Sequence, residues 1–190
     1  LPFADMSREK DQGYFCEGMA EEVINALSRI KGLRVASRTS AFRFRDSAAD
    51  TREIGQTLRV DTLLEGSVRK EKRRLRISVQ LVDAAGGHQL WSERYDRDVE
   101  DVFAIQEEIA QNVVKALEVT LSPGEKRAVG KAPTTDVQAY DYYLRGRKFF
   151  YHYGKRDIEF ALQLFTRAIE LDPSYARAYA GAADCWSFLC

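Results

Sequence analysis

The stretch Ile158-Glu-Phe-Ala161-Leu-Gln-Leu-Phe165-Thr-Arg-Ala168-Ile-Glu-Leu-Asp-Pro173 decides how this chain is read. Ala161, Phe165 and Ala168 recur at four- and three-residue intervals, which sets two small residues and one aromatic on a single helical face. Pro173 then stops the helix, because it cannot donate the next backbone hydrogen bond. Working outward, Ala178-Tyr179 opens a second helix that runs into Trp186, and Ala139-Tyr140 is an equivalent start upstream. Helices are therefore predicted over 137–151, 157–171 and 176–190.

This pattern resembles the tetratricopeptide repeat, a solenoid unit that buries its core only by stacking on neighbours. The two starts lie 39 residues apart, against about 34 in the repeat. The extra residues fit an enlarged turn near 152–157. Gly146 sits late for the small-residue position of the first helix, so the Ala-Phe-Ala-Pro half carries the signal.

The chain has 190 residues, with 29 basic and 29 acidic side chains and 45% hydrophobic content. That is enough for one medium domain and a small one, and the balanced charge favours neither nucleic acid nor a membrane surface. No apolar run approaches the roughly 20 residues that span a bilayer. Leu1 is not an initiator Met and Cys190 falls inside a repeat, so the sequence reads as a fragment. Cys16, Cys185 and Cys190 have no metal-ligand spacing and are expected to be reduced thiols.

The front half alternates helix and strand periods. Met19, Val23, Leu27 and Ile30 predict a helix over 17–30, ended by Lys31-Gly32, with a short strand over 33–37. Asp50-Thr51-Arg52-Glu53 has the logic of a capping box for a short helix facing Ile54 and Leu58 inward. Strands are predicted over 62–69, 74–83 and 88–97. In the second of these, Leu75, Ile77, Val79 and Leu81 share one face, and Arg74, Arg76, Ser78 and Gln80 the other. A helix over 99–121 shows Phe103, Ile109, Val113, Leu117 and Leu121 on one side, widened by Val102, Ile105 and Val114. Residues 122–136 lack apolar periodicity and form the expected linker between a module over 1–121 and repeats over 137–190.

The charged clusters have plain readings. The hairpin around Arg69-Lys70-Glu71-Lys72-Arg73-Arg74 could take phosphate, yet a solvated tip that resists edge pairing explains it equally. No aromatic is interleaved for base stacking, so nucleic acid is not expected. Arg29, Lys31, Arg34, Arg38, Arg43 and Arg45 form a basic stretch and residues 93–108 an acidic one; they either meet or stay solvated. His88 and His152 are isolated, which argues against a metal site. Gly86-Gly87 is a turn with no helix behind it, and nucleophile, phosphate-loop and zinc signatures are absent. No catalytic, cofactor-binding or metal-binding residue is expected, and no cofactor.

Further resemblance is carried by Leu1-Pro2-Phe3-Ala4-Asp5-Met6-Ser7, Tyr14-Phe15-Cys16-Glu17-Gly18, Leu64-Glu65-Gly66-Ser67-Val68-Arg69, Gln80-Leu81-Val82-Asp83-Ala84 and Leu90-Trp91-Ser92-Glu93-Arg94-Tyr95-Asp96. With Glu100-Asp101-Val102-Phe103-Ala104-Ile105-Gln106, these resemble, in unbroken order, a bacterial module related to the TolB amino-terminal domain. That family places the module before tetratricopeptide repeats in signalling proteins such as class III adenylate or guanylate cyclases. The resemblance implies an α/β fold, a mixed sheet with flanking helices, followed by an all-α repeat segment. It also implies that the first strand, lacking its leading apolar residues, is short.

The resulting expectation is a non-catalytic regulatory and protein-interaction region of a bacterial signalling protein, cytoplasmic and attached to a cyclase domain. The alternatives are a dimerisation scaffold and an envelope-associated, TolB-like binding protein in or near the periplasm. In the repeat family the first helix of each pair lines the concave surface. The corresponding protein-binding positions are Arg177, Asp184 and Ser187 (with Ala180 among them) in the second repeat, and Gln138, Asp141, Arg145 and Lys148 in the first. Arg145, Lys148 and Arg177 would suit an acidic peptide or a C-terminal carboxylate. A protein or peptide partner is expected, with a homodimer as a second option.

Overall fold

A computed structural model describes residues 1–119 and 132–189. They form a mixed four-stranded sheet and seven α-helices, divided between two compact units, residues 1–131 and 132–190. The final residues of the predicted 99–121 helix, most of the predicted linker and Cys190 lie outside the described residues.

In the first unit β1 (Ala4–Asp5), β2 (Thr62–Glu71), β3 (Arg74–Asp83) and β4 (Gln89–Asp98) lie side by side in that order. β1 runs parallel to β2, pairing Ala4 with Ser67, and the other pairs are antiparallel. The β2–β3 turn is only Lys72-Arg73, with Lys72 left-handed at φ 53°. The alternation in β3 is as predicted: Leu75, Ile77, Val79 and Leu81 are all buried. Gly66 shares their face, and the Phe3 ring occupies the space a side chain there would need, within 3.0 Å of an added Cβ.

That face is covered by α1 (Gly13–Leu27) and α4 (Val102–Ala116). α1 starts earlier than its apolar period suggests, because Tyr14, Phe15 and Cys16 are already buried. The Asp5 carboxylate accepts the Ser7 and Gln12 amides at 2.9 and 2.7 Å, fixing the chain's entry. α4 follows a 3₁₀ turn, Val99–Asp101, and is shorter than predicted. Its buried stripe centres on Val102, Ile105, Ile109 and Val113, leaving Phe103 half-buried. Left-handed Glu118 ends it, with the Val119 amide folded back to the Val114 carbonyl.

Two short helices complete the unit, α2 (Arg38–Ala41) and α3 (Thr51–Leu58). The Asp50 carboxylate caps α3 through the Glu53 amide at 2.8 Å. Ile54 of α3 packs with Leu63 and Ala84, at one end of the sheet. The predicted strand over 33–37 does not form. β1 holds the β2 edge that such a strand would need, so Leu33 and Val35 contribute side chains to an apolar cleft instead. Ser37 is diverted into capping α2 through the Ser40 amide.

In the second unit α5 (Val137–Phe150), α6 (Lys155–Leu171) and α7 (Ala176–Leu189) pack in sequence. Asp136 caps α5 through the Ala139 amide. Thr134 donates to Asp172 at 2.6 Å, which ties the segment before α5 to the turn after α6. The turn between α5 and α6 spans only residues 151–154, with Tyr153 left-handed.

Candidate protein-binding surface

The helical unit is organised around one ring. Phe165 of α6 is fully buried, and a Cβ on Gly146 of α5 would stand 2.7 Å from it. A Cβ on Gly181 of α7 would stand 2.8 Å from the same ring. Two glycines therefore let α5 and α7 both close onto α6. Tyr143 adds a second layer, its centroid 5.7 Å from Phe165 and 5.1 Å from Tyr175. The late position of Gly146, which weakens the repeat reading in sequence, is thus a packing position.

Burial of Ala139, Tyr140, Tyr143 and Gly146 turns the other side of α5 outward. Gln138, Arg145 and Lys148 are exposed there and Asp141 is half-buried, at helical spacings that put all four on one face. Asp141 and Arg145 form an ion pair at 2.7 Å, so part of the charge expected for a ligand is already matched. On α7, Asp184 and Ser187 are exposed and Arg177 is half-buried, on the turns alternating with buried Ala178, Gly181 and Cys185. Tyr153 and Phe188 stack at 5.4 Å while both stay largely exposed, as does Trp186. The aromatic density of α5 divides accordingly: Tyr140 and Tyr143 are core, and Phe150 reaches toward Phe188. Arg147 lies over the Tyr151 and Tyr143 rings and donates to both hydroxyls.

Within the basic stretch of the first unit, Arg38 and Arg45 meet α1, with Arg38 3.1 Å from both Glu17 and Glu21 and Arg45 2.8 Å from Glu17. Sequence reasoning missed this cluster, although Glu17 and Glu21 one helical turn apart were its visible half. The basic hairpin is likewise engaged: Arg74 and Arg76 bond Asp96, and Arg73 bonds Glu100. His152 lies 3.8 Å from Asp157, in the α5–α6 turn. Among the described residues no group of three or more His, Cys, Asp or Glu is placed to hold a metal, and no helix is long and apolar enough to cross a membrane. The first unit also holds an apolar cleft of about 480 Å³, lined by Phe3, Val23, Leu27, Leu63 and Val113 together with exposed Arg34 and Arg59.

The two described cysteines, Cys16 and Cys185, are buried free thiols. Burial pushes the Cys16 thiol up to about 12 and Cys185 up to about 11, so both are protonated at neutral pH.

Over 180 residues, 95% of its length, the chain is 39% identical to "Putative adenylate cyclase 3" of Rhizobium meliloti (strain 1021). It spans 31% of that relative's length. Residues 1–114, which hold the sheet and nearly all of the helices packed on it, match one family model, and the chain accordingly belongs to the family described as HilA/YgeH-like transcriptional regulator, second domain.

Proposed function

We propose that this chain is a non-catalytic regulatory region of a bacterial signalling protein, in which the helical unit binds a protein or peptide. The observation that carries this reading is the close approach of Gly146 and Gly181 to the one buried ring of Phe165. It supports a repeat-like stacking of the three helices, in which one face of α5 and one of α7 are uncommitted to the core. On those faces Gln138, Asp141, Arg145 and Lys148 act with Arg177, Asp184 and Ser187. Lys148 makes no ion pair among the described residues, whereas Arg145 is partly neutralised by Asp141. The ligand chemistry that fits is an acidic segment or a C-terminal carboxylate.

The TolB-like module would set the position of an attached output domain, and the relative named as an adenylate cyclase supports a nucleotide cyclase in that role. Titration calorimetry with a panel of acidic peptides ending in free carboxylates tests the binding step. Lys148→Glu and Arg177→Glu should each weaken the best binder by about tenfold, the size expected of a charge-assisted contact. Absence of binding across the panel, or binding indifferent to both substitutions, overturns the reading. For the output step, excision of this region from the longer protein should change the rate or regulation of cyclic nucleotide synthesis.

A further inference from the structure

β4 is the last strand of the sheet, and among the described residues no strand pairs with its outer edge. It is ten residues long and exposed except at Trp91, Tyr95 and Asp98. A long free edge normally carries charges that repel a second strand. Here the charges are ordered differently. Glu93-Arg94-Tyr95-Asp96-Arg97 reads as its own complement when the strand is reversed about Tyr95.

We infer that β4 pairs antiparallel with β4 of a second copy of this chain, with Tyr95 opposite Tyr95. In that register Arg94 faces Asp96 of the other copy and Glu93 faces Arg97, each twice by symmetry. Opposed residues in an antiparallel pair project to the same side at close range, so each match is a cross-strand contact, with Arg94 joining Arg74 and Arg76 around Asp96. The neighbouring registers are unfavourable. A shift one way sets Glu93 against Asp96, and a shift the other way sets Arg94 against Arg97 and Glu93 against Asp98.

Sheet geometry selects the same register. Tyr95 projects to the helix-covered side, where it pairs with Ile77 and its hydroxyl accepts from Asn112 of α4 at 3.1 Å. Pairing a residue with its own copy places the two-fold axis perpendicular to the sheet, so both helical layers stay on one face. A one-residue slip would put them on opposite faces. The two four-stranded sheets then join into one continuous sheet. Arg97 is pre-positioned, its guanidinium held by Glu108 at 3.0 Å while the strand edge beyond it stays exposed. The inference is independent of peptide binding by the helical unit.

The test is the solution mass of the whole chain, by light scattering behind size exclusion across a concentration series. The wild type should pass from monomer to dimer, with a midpoint that rises with salt. Glu93→Arg opposes Arg97 of the other copy, and Arg97→Glu opposes Glu93; each alone should raise the midpoint at least about tenfold. An equimolar mixture of the two variants should restore it, because each then faces its complement. Glu93 makes no hydrogen bond or ion pair among the described residues, so Glu93→Arg leaves the fold intact, and unchanged circular dichroism verifies this. A wild type that stays monomeric throughout, or a dimer indifferent to both reversals, overturns the inference.

Discussion

Phe165 and Gly146 are interdependent: the ring lies where any side chain on the glycine would begin, 2.7 Å from an added Cβ. Gly181 approaches the same ring, which would stand 2.8 Å from an added Cβ there, so two helices depend on the place of one side chain. Gly146→Ala and Gly181→Ala should therefore each destabilise the helical unit. Overpacking costs about 1–3 kcal/mol, and the gain in helix propensity returns at most about 1 kcal/mol. Urea unfolding followed on the second unit should show lower midpoints for both. An unchanged or raised midpoint would mean that the ring has room to yield.

Arg38 should matter more than its place in a surface-like basic stretch suggests. It spans Glu17 and Glu21 and lies 4.3 Å from the Phe42 ring centroid, with only 22% of its side chain exposed. Arg38→Met takes the cation from Glu21 and one of two from Glu17, which keeps Arg45, and should cost about 1–3 kcal/mol. Arg38→Lys should recover less than half, since an ammonium cannot bridge two carboxylates with a planar fork. By contrast Arg145→Ala, which breaks a partly exposed i,i+4 pair with Asp141, should cost less than Arg38→Met. Thermal melts of the three variants rank them directly.

The alternating strand β3 was legible to the residue, because burial of Leu75, Ile77, Val79 and Leu81 dominates everything local to it. The Asp50 cap and the three helices of the second unit were legible for the same reason: each signal is contained in one or two turns. β1 was not readable from periodicity, since two residues carry no period and its pairing partner, Ser67, is far along the chain. The strand expected over 33–37 failed because strand identity depends on a vacant sheet edge, which no local pattern records. At the candidate surface, the resemblance to the repeat family picked out Gln138, Arg145 and Lys148, and all three are exposed on one face of α5. The bond that ties Arg145 to Asp141 is also an i,i+4 pattern, and could have been anticipated. What could not be anticipated was Gly146, whose meaning appears only once Phe165 lies against it.

Acid should destabilise the protein at a defined onset. Burial opposes ionisation of Asp5, but the Ser7 and Gln12 amides outweigh it and hold the carboxyl below its ordinary 3.8. Hydrogen bonds from Arg76 and Arg74 lower Asp96, and those from Ser174 and Thr134 lower Asp172. Each folded value lies below the unfolded one, so the contribution is complete above that unfolded value and is lost as pH falls through the folded value. On account of these carboxylates, urea midpoints should fall below about pH 4. Asp5→Asn should remove only the Asp5 share of that decline and leave the Asp96 share of the first unit in place. A decline that begins near pH 6 would mean that groups other than these three carboxylates set the onset.

Thiol chemistry should report unfolding rather than surface reactivity. Burial raises both Cys16 and Cys185, to about 12 and about 11, and Asp5 and Asp184 respectively add to the rise. At pH 8 the thiolate fraction of each is then far below that of a free cysteine at about 8.5. In a Cys190→Ser background, reaction with an aromatic disulfide should be slow in native buffer and rapid in concentrated urea. The two sites should also separate. Cys185 contacts the helical unit whose packing depends on Phe165, so Gly181→Ala should accelerate its labelling and leave Cys16 unchanged. Equal acceleration of both would mean that the two units unfold together.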